Sequence, residues 1–391
     1  MSLEIIEILS KLISINTSNE ISTLEAVNYI AHILDENDIS YEIVKSEKDP
    51  LRASIIATIG DNTKPGIVLS GHLDTFGVKT QIKNWETNPF ELKIKDNSLI
   101  GRGVVDMKGA IACVLSNINF FKQQTIPIHF VLTHDEEGGF SAINQLIQNR
   151  FYNKISPHQL GCIVMEPSNL SAIYSHEGYS KYILRIQTSG GKMLQGTQDV
   201  NALKYALQVC QKIERIFKNI DWQDKNAENN LNIGKLISGD NAFNIPKEAI
   251  IEFQFKYQHE DENKDKFIKH LMMHLHKMRW KAQQKKLFLD INMSPLMSVK
   301  PFNGIKHGKL HLAIEKSVPE SPTLPFGTEA GYFQEYGINT VILGPGDYKY
   351  AHRSNETIYF SDLKRYQKIL KNIIFDIQNL KTFMHNNLCN R

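Results

Sequence analysis

The sequence is sparing with cysteine. It holds four in 391 residues (Cys113, Cys162, Cys210 and Cys389), scattered and without a CxxC pair. That excludes a disulfide framework and leaves free thiols in a reducing cytoplasm as the reading. An excess of charge of one sign is also lacking. The 45 basic residues face 42 acidic ones, for a formal net charge of +3. Such a balance makes no case for nucleic acid or a membrane surface as a partner. Long apolar runs are missing too. The longest apolar stretch free of Asp, Glu, Lys and Arg runs from Gly109 to Phe121, too short to cross a bilayer. The start, Met1-Ser2-Leu3-Glu4, has neither the basic opening nor the apolar run of a signal peptide, so a cytoplasmic location is expected. There is no internal repeat and no low-complexity segment.

What is present is an ordinary globular mixture, 41% apolar and 22% charged. The length is too great for one core and implies two domains. Apolar spacing predicts a helix over 3–13. Ser22, three residues before Glu25, has the pattern of a capping box opening a helix through Leu34. Strands are predicted over 54–59, 67–70, 128–133 and 162–165, with helices over 107–122 and 141–148. Alternating strands and helices imply an α/β fold, a mostly parallel sheet with helices on both faces. The pattern then changes. Longer, half-buried strands are predicted over 181–187, 231–237 and 249–257, and amphipathic helices over 200–218 and 264–279. That is an inserted α+β domain, two helices on one face of an antiparallel sheet, with a free edge that invites pairing with a second copy. A buried strand over 340–343 and a helix over 362–380 return to the first pattern. The expected division is 1–176 with 297–391 as one domain and 177–296 as the insert.

Five short segments gather His, Asp and Glu at the ends of predicted strands, where open α/β sheets form their sites. In Ser70-Gly71-His72-Leu73-Asp74, His72 and Asp74 point the same way if the strand continues, and an Asp there can hold an imidazole for a metal. A solvated loop would look the same. Asp106, in Gly101-Arg102-Gly103-Val104-Val105-Asp106-Met107-Lys108-Gly109, stands where a helix begins, and taken alone it reads as an N-cap. His134-Asp135-Glu136-Glu137-Gly138-Gly139 follows an apolar strand, and its neighbouring carboxylates can take different tasks; an acidic loop in water is the plainer alternative. Glu166 follows a buried strand directly, and Tyr350-Ala351-His352-Arg353-Ser354-Asn355-Glu356 lies beyond the 340–343 strand. Together they form a nitrogen and oxygen donor set suited to zinc or a similar divalent ion. A bridging carboxylate can hold two such ions roughly 3.5–4 Å apart, with a free Glu as general base.

On these five segments, in order and spacing over nearly the whole chain, the sequence resembles the M20 metallopeptidase family. That family includes acetylornithine deacetylases, succinyl-diaminopimelate desuccinylases, carboxypeptidases and aminoacylases. The resemblance implies a di-zinc exopeptidase-like fold whose insert is a lid and dimerisation domain. It implies two divalent metal ions, zinc with cobalt as the alternative. His72 and Glu166 would bind one ion, Glu137 and His352 the other, and Asp106 both. Asp74 would orient His72, Glu136 would be the base, and a cis peptide would follow Asp106.

Phe326-Gly327-Thr328-Glu329-Ala330 and Val341-Ile342-Leu343-Gly344-Pro345-Gly346 resemble the acetylornithine deacetylase branch, which puts Gly327, Thr328 and Glu329 at the substrate. Asn244-Ile245-Pro246 resembles the family's element near the substrate carboxylate. Two departures stand out. Where relatives carry Ser-Gly-His, with a His that reaches the partner subunit's oxyanion, this chain has Ser189-Gly190-Gly191-Lys192. Alignment on Val200-Asn201-Ala202 puts Lys192 at the His position, and alignment on Ser189-Gly190 puts Gly191 there. His176, His259 and His307 are the fallback donors. Lys256 stands where relatives carry an Arg, offering a point charge in place of a bidentate fork. The expected activity is hydrolysis of the amide of a small N-acyl amino acid by a homodimer, first N-acetylornithine in arginine biosynthesis. Acetylcitrulline deacetylase, desuccinylase, aminoacylase and dipeptidase activities are the enzymatic alternatives, and a catalytically silent ligand-binding relative is the non-enzymatic one.

Overall fold

A parallel strand inside a sheet is covered on both faces, so its residues should be apolar in unbroken runs. The strands Ile67–His72, Ile128–Thr133 and Gly161–Val164 are buried at every position. In the computed structural model, which describes residues 4–18, 21–147, 159–192, 200–222, 230–258 and 262–380, they form the middle of a six-stranded sheet. Its order is Tyr41–Lys45, Ala53–Ile59, Ile128–Thr133, Ile67–His72, Gly161–Val164, Thr340–Ile342. The last four strands pair in parallel, and the first two join antiparallel. The mostly parallel α/β sheet is the fold expected from the sequence.

The flanking helices carry the period that packing demands. Ile5, Ile8, Leu9, Leu12 and Ile13 are the buried residues of the helix Ile5–Ser14, at offsets of 0, 3, 4, 7 and 8 along it. Leu363, Tyr366, Leu370, Ile373, Ile374 and Ile377 do the same for Phe360–Asn379. Both stripes enter one core with the sheet. The chain divides into two compact units. The larger takes its residues from 1–175, 303–324 and 328–391, and the smaller from 176–302 and 325–327. Gly327 thus falls in the smaller unit, and Thr328 and Glu329 in the larger.

In the smaller unit, the strands run in the order Leu231–Ser238, Glu248–Tyr257, Gly178–Thr188, Leu289–Val299, all antiparallel. Ala249, Ile251, Phe253, Phe255 and Tyr257 face a core shared with the helices Ala202–Lys218 and Glu262–Gln284. On the other face of the same strand, Glu252 pairs with Lys181 and Lys235 at 3.2 and 2.9 Å. The strand Leu289–Val299 was not foreseen; Pro295 interrupts its pattern and sits at a shift in register.

Other local expectations need correction. Ser22 does not form a capping box. Its Oγ accepts the Leu24 N–H and donates to the Leu51 carbonyl, while Glu25 pairs with Lys11 at 3.3 Å. The helix expected over 107–122 is two, Lys108–Leu115 and Ile118–Phe121. Ser116 separates them, its Oγ donating to the Cys113 carbonyl, a bond that competes with the helical ladder. Cys113, Cys162 and Cys210 are free thiols, and Cys389 lies outside the described residues, as does the expected helix end at Gln148. Among the described residues, no helix is long and apolar enough to cross a membrane.

Phe267 is fully buried, its ring 4.9 Å from that of Phe255 and 5.3 Å from that of Phe217. Phe267→Ala leaves a cavity and should cost about 3–5 kcal/mol. The urea midpoint of the variant measures this, and a loss below about 1 kcal/mol would show that the aromatic cluster is not what holds this unit together.

Candidate metal centre

The strand Ile67–His72 delivers His72 at its carboxyl end, 1% exposed. Glu166 stands two residues beyond the neighbouring strand Gly161–Val164. Asp106 comes from the turn before Lys108–Leu115, and the Asp106–Met107 peptide is cis, as expected. His72, Asp106 and Glu166 offer donor atoms that all lie within 4.8 Å of one another, and so do Asp106, Glu137 and His352. The two groups share Asp106 through different oxygens. Its Oδ1 is 3.0 Å from His72 Nε2, and its Oδ2 is 3.0 Å from His352 Nε2. Glu166 Oε1 is 3.7 Å from His72 Nε2, and Glu137 Oε1 is 2.8 Å from His352 Nε2. All five expected ligands are therefore brought together. Gly344 lets the 340–342 strand pass close to Glu166, because a Cβ there would collide with the Met165 and Glu166 carbonyls.

The electrostatics are those of crowded acids. Burial pushes Glu166 and Glu136 well above the usual carboxylate range, and the Asp106 and Glu166 charges respectively add to it. Glu137 is raised by burial too, against the hydrogen bond from His352. Burial opposes the charging of both imidazoles but is outweighed. Hydrogen bonds to Asp106 and Asp74 hold His72 well above its ordinary value, and Asp106 and Glu137 raise His352 to about 10. Asp106 is held low, burial being overcome by the two imidazoles. A group of buried carboxylates that recruits protons and imidazolium ions is one that lacks positive charge. Oxygen and imidazole donors converging in two sets on one shared carboxylate fit two divalent cations.

Asp74 lies against His72 as expected and has a second task. His72 Nδ1 is 2.8 Å from the Asp74 carbonyl oxygen and 3.6 Å from its carboxylate. The carboxylate also accepts the Glu136 and Glu137 N–H groups at 3.2 and 3.0 Å. Asp74 thus orients His72 through its backbone and the Glu136–Glu137 loop through its side chain. Three supporting residues were missed. Glu356 and Arg102 form a fully buried pair at 2.7 Å. Lys108 is buried and donates to the carbonyls of Leu12 and Ile15 at 2.9 and 2.8 Å; burial lowers its pKa to about 7. All three stood inside the polar segments above, and their burial was the missing signal.

The residues expected at the substrate are more dispersed. Lys192 and Asn244 are paired across two short strands and border a cavity of about 520 Å³ in the smaller unit, together with Asp240, Lys247 and Glu248. Lys256 is held by Glu177 at 3.2 Å and donates to the Pro325 carbonyl. Gly327 packs against Val299, leaving no room for a side chain. Thr328 is fully buried, and its Oγ1 accepts the Ala330 N–H. Glu329 is 1% exposed, and its Oε2 accepts from Ser70 Oγ at 3.2 Å. Thr328 and Glu329 therefore stand in the interior, buried to the same degree as His72 and Glu166. Of the fallback histidines, the ring of His176 is tilted against Phe302, and His307 precedes the helix Gly308–Ser317. His259 lies outside the described residues.

Comparison with known proteins accords with this site. Residues 68–376 match the model of Peptidase family M20/M25/M40. The chain is similar to an acetylornithine deacetylase of Buchnera aphidicola subsp. Schizaphis graminum, 27% identical over 92% of this chain and 93% of that one. It is similar at 27% identity to a protein of Staphylococcus aureus (strain MRSA252) named "Probable succinyl-diaminopimelate desuccinylase", over 97% of this chain and 98% of the relative. Among solved structures, it resembles the M20 family metallo-carboxypeptidase Sso-CP2 from Sulfolobus solfataricus. The TM-score is 0.75 at 14% identity, over 97% of this chain and all of that one.

Burial raises the Glu329 carboxyl from an ordinary 4.5 to about 7, against hydrogen bonds from Thr133 and Ser70 and the charge of His72. The unfolded chain releases this proton first, so Glu329 lowers stability as pH rises between these two values. In metal-free protein, Glu329→Gln should gain on wild type by about 2–3 kcal/mol between pH 5 and pH 8, from about 1.4 kcal/mol per pKa unit. Urea midpoints at the two pH values measure the gain, and a pH-independent difference would contradict the assignment.

Proposed function

The chain belongs to peptidase family M20/M25/M40, and on that premise we propose that it removes the acyl group from a small N-acyl amino acid, N-acetylornithine first among the candidates. The observation that carries the reading is the pair of donor groups sharing Asp106, with the further carboxylate of Glu136 set among them. His72, Asp106 and Glu166 would hold one divalent ion, and Asp106, Glu137 and His352 the other. Zinc suits these donors, and cobalt is the alternative. Bound there, two ions supply Lewis acidity to the scissile carbonyl and lower the pKa of the attacking water.

The chain's own groups do the rest. Glu136 carries no metal in this assignment, and its carboxylate is free to take a proton from the attacking water and pass it to the leaving amine nitrogen. Positive charge held by the five ligands draws the Glu136 pKa back down, so the side chain enters the reaction as a base. The Asp74 carboxylate keeps Glu136 and Glu137 in register by gripping both of their N–H groups. The 27% identity to a deacetylase and to a desuccinylase is equal, so N-succinyl-diaminopimelate is the second reading. Deacetylation would place the enzyme in arginine biosynthesis in the cytoplasm.

A panel of N-acetylornithine, N-acetylcitrulline, N-succinyl-diaminopimelate, N-acetylmethionine and an unmodified dipeptide tests the proposal, alongside elemental analysis. Two metal ions per chain and the highest kcat/KM on N-acetylornithine are expected. A higher value on the succinyl substrate would move the assignment to the second reading, and no hydrolysis of any would reject both. Glu136→Gln should keep both ions and lose about 10²–10⁴-fold in kcat; a loss of only a few-fold would remove Glu136 from the mechanism.

Lys192 is proposed as the donor to the oxyanion, in a homodimer formed through the smaller unit. An ammonium can donate there, less directionally than an imidazole. Lys192→Ala should lower kcat by about 10²-fold with metal content unchanged. A fully active monomer, or a variant with normal kcat, would leave oxyanion stabilisation to the metal ions.

A further inference from the structure

We propose that Glu356, Arg102 and Gln81 form one brace that positions Asp106 and His352, so that both metal sites depend on it. Glu356 is buried, 1% exposed, and lies four residues beyond His352. Its Oε1 accepts the N–H groups of Val105 and Asp106 at 2.8 and 3.1 Å, and its Oε2 accepts the Gly103 N–H at 3.1 Å and Arg102 Nη1 at 2.7 Å. One carboxylate thus holds the backbone of the turn that presents Asp106. Arg102 Nη2 donates to Gln81 Oε1 at 3.4 Å, and Gln81 Nε2 donates to the His352 carbonyl at 2.9 Å. The Phe76 ring links the same parts, stacked on His352 at 4.4 Å with the Arg102 guanidinium 5.8 Å from its centre.

His352 needs such support. Its backbone φ is +59°, a left-handed conformation that non-glycine residues adopt at a cost and keep where their surroundings impose it. Its side chain is 45% exposed, so burial alone does not fix the ring. The two ligands come from distant parts of the chain, and the nearest backbone ladder, Thr357–Tyr359 against Ser98–Ile100 with the Gly101 N–H on the Glu356 carbonyl at 3.1 Å, stops short of both. The Glu356–Arg102–Gln81 chain extends that ladder with side-chain bonds that reach the Asp106 N–H and the His352 carbonyl themselves. Asp106 serves both donor groups, so Glu356 acts on both; of the two ligands, Gln81 bonds only His352, its other partner being the Arg102 guanidinium, and it acts on one. A buried ion pair with a purely structural role would, if broken, lower stability while leaving the metal affinity of a folded variant unchanged.

The inference rests on Asp106 and His352 being metal ligands, and the test separates the two claims. Full-length protein stripped with EDTA is titrated with Co2+ alone, read by visible absorption and by equilibrium dialysis. Wild type is expected to take two ions. Glu356→Gln should weaken both by about 10–100-fold, the usual effect of losing a group that orients a ligand. Gln81→Ala should weaken one ion and spare the other. Should Glu356→Gln not fold, Glu356→Asp replaces it: the charge opposite Arg102 stays, the reach shortens, and the same weakening is expected. Gln81→Ala breaks no buried ion pair and decides by itself if neither folds. A folded Glu356 variant with both affinities within two-fold of wild type, or a Gln81 variant that weakens both ions equally or neither, would overturn the brace. Wild type binding no Co2+ would instead overturn the metal assignment beneath it.

Discussion

Asp106 accepts from two imidazoles at once, each 3.0 Å from a different carboxylate oxygen. Around it, the buried Glu166 and the half-buried Glu136 and Glu137 lie within range of one another's charge. Acids packed in this way repel, and each loses the water that would have stabilised its charge. The arrangement stands because positive charge enters it, from His72 and His352 in their protonated forms or from cations. Much else in the larger unit follows from that constraint. The parallel strands deliver side chains at their carboxyl ends, and two further carboxylates, of Asp74 and Glu356, grip the backbones that carry Asp106, Glu136 and Glu137.

Asp74 and Glu356 show how a polar group becomes useful when buried. Each takes main-chain N–H donors that the irregular loops leave without ladder partners, so a loop near the centre holds its shape without regular secondary structure. Lys108 does the reverse for the carbonyls of Leu12 and Ile15, which lie at the end of the helix Ile5–Ser14. The smaller unit follows another logic. Its core holds an aromatic cluster in which Phe217 and Phe267, from two helices, meet Phe253 and Phe255 of the sheet, with Trp222 beside them. Its cavity is bordered by polar residues, Lys192 and Asn244 among them.

Much of this was legible in order along the chain. Unbroken apolar runs marked the buried strands, Ile5 to Ile13 and Leu363 to Ile377 marked helices, and Ile251 to Tyr257 marked a half-buried strand. The ligand candidates were legible for a related reason: an ionisable residue directly after a buried strand is costly unless something binds it. The strand Leu289–Val299 was harder, because Pro295 and a shift in register break its period. The helix over 108–121 divided at Ser116 because a side-chain bond there competes with the ladder.

Composition and periodicity by themselves indicated the fold class and the insertion of a second unit, and the resemblance carried by the five polar segments implied the set of five candidate ligands. These depend on local preference and on the cost of burying charge, which act residue by residue. The tertiary structure brought together the groups that the resemblance had paired, with Asp106 between them. It alone made Glu356 the support of the Asp106 turn, because contacts between residues hundreds of positions apart have no local signature. It also showed Glu329 and Thr328 to be buried, since the burial of a polar side chain depends on what packs over it.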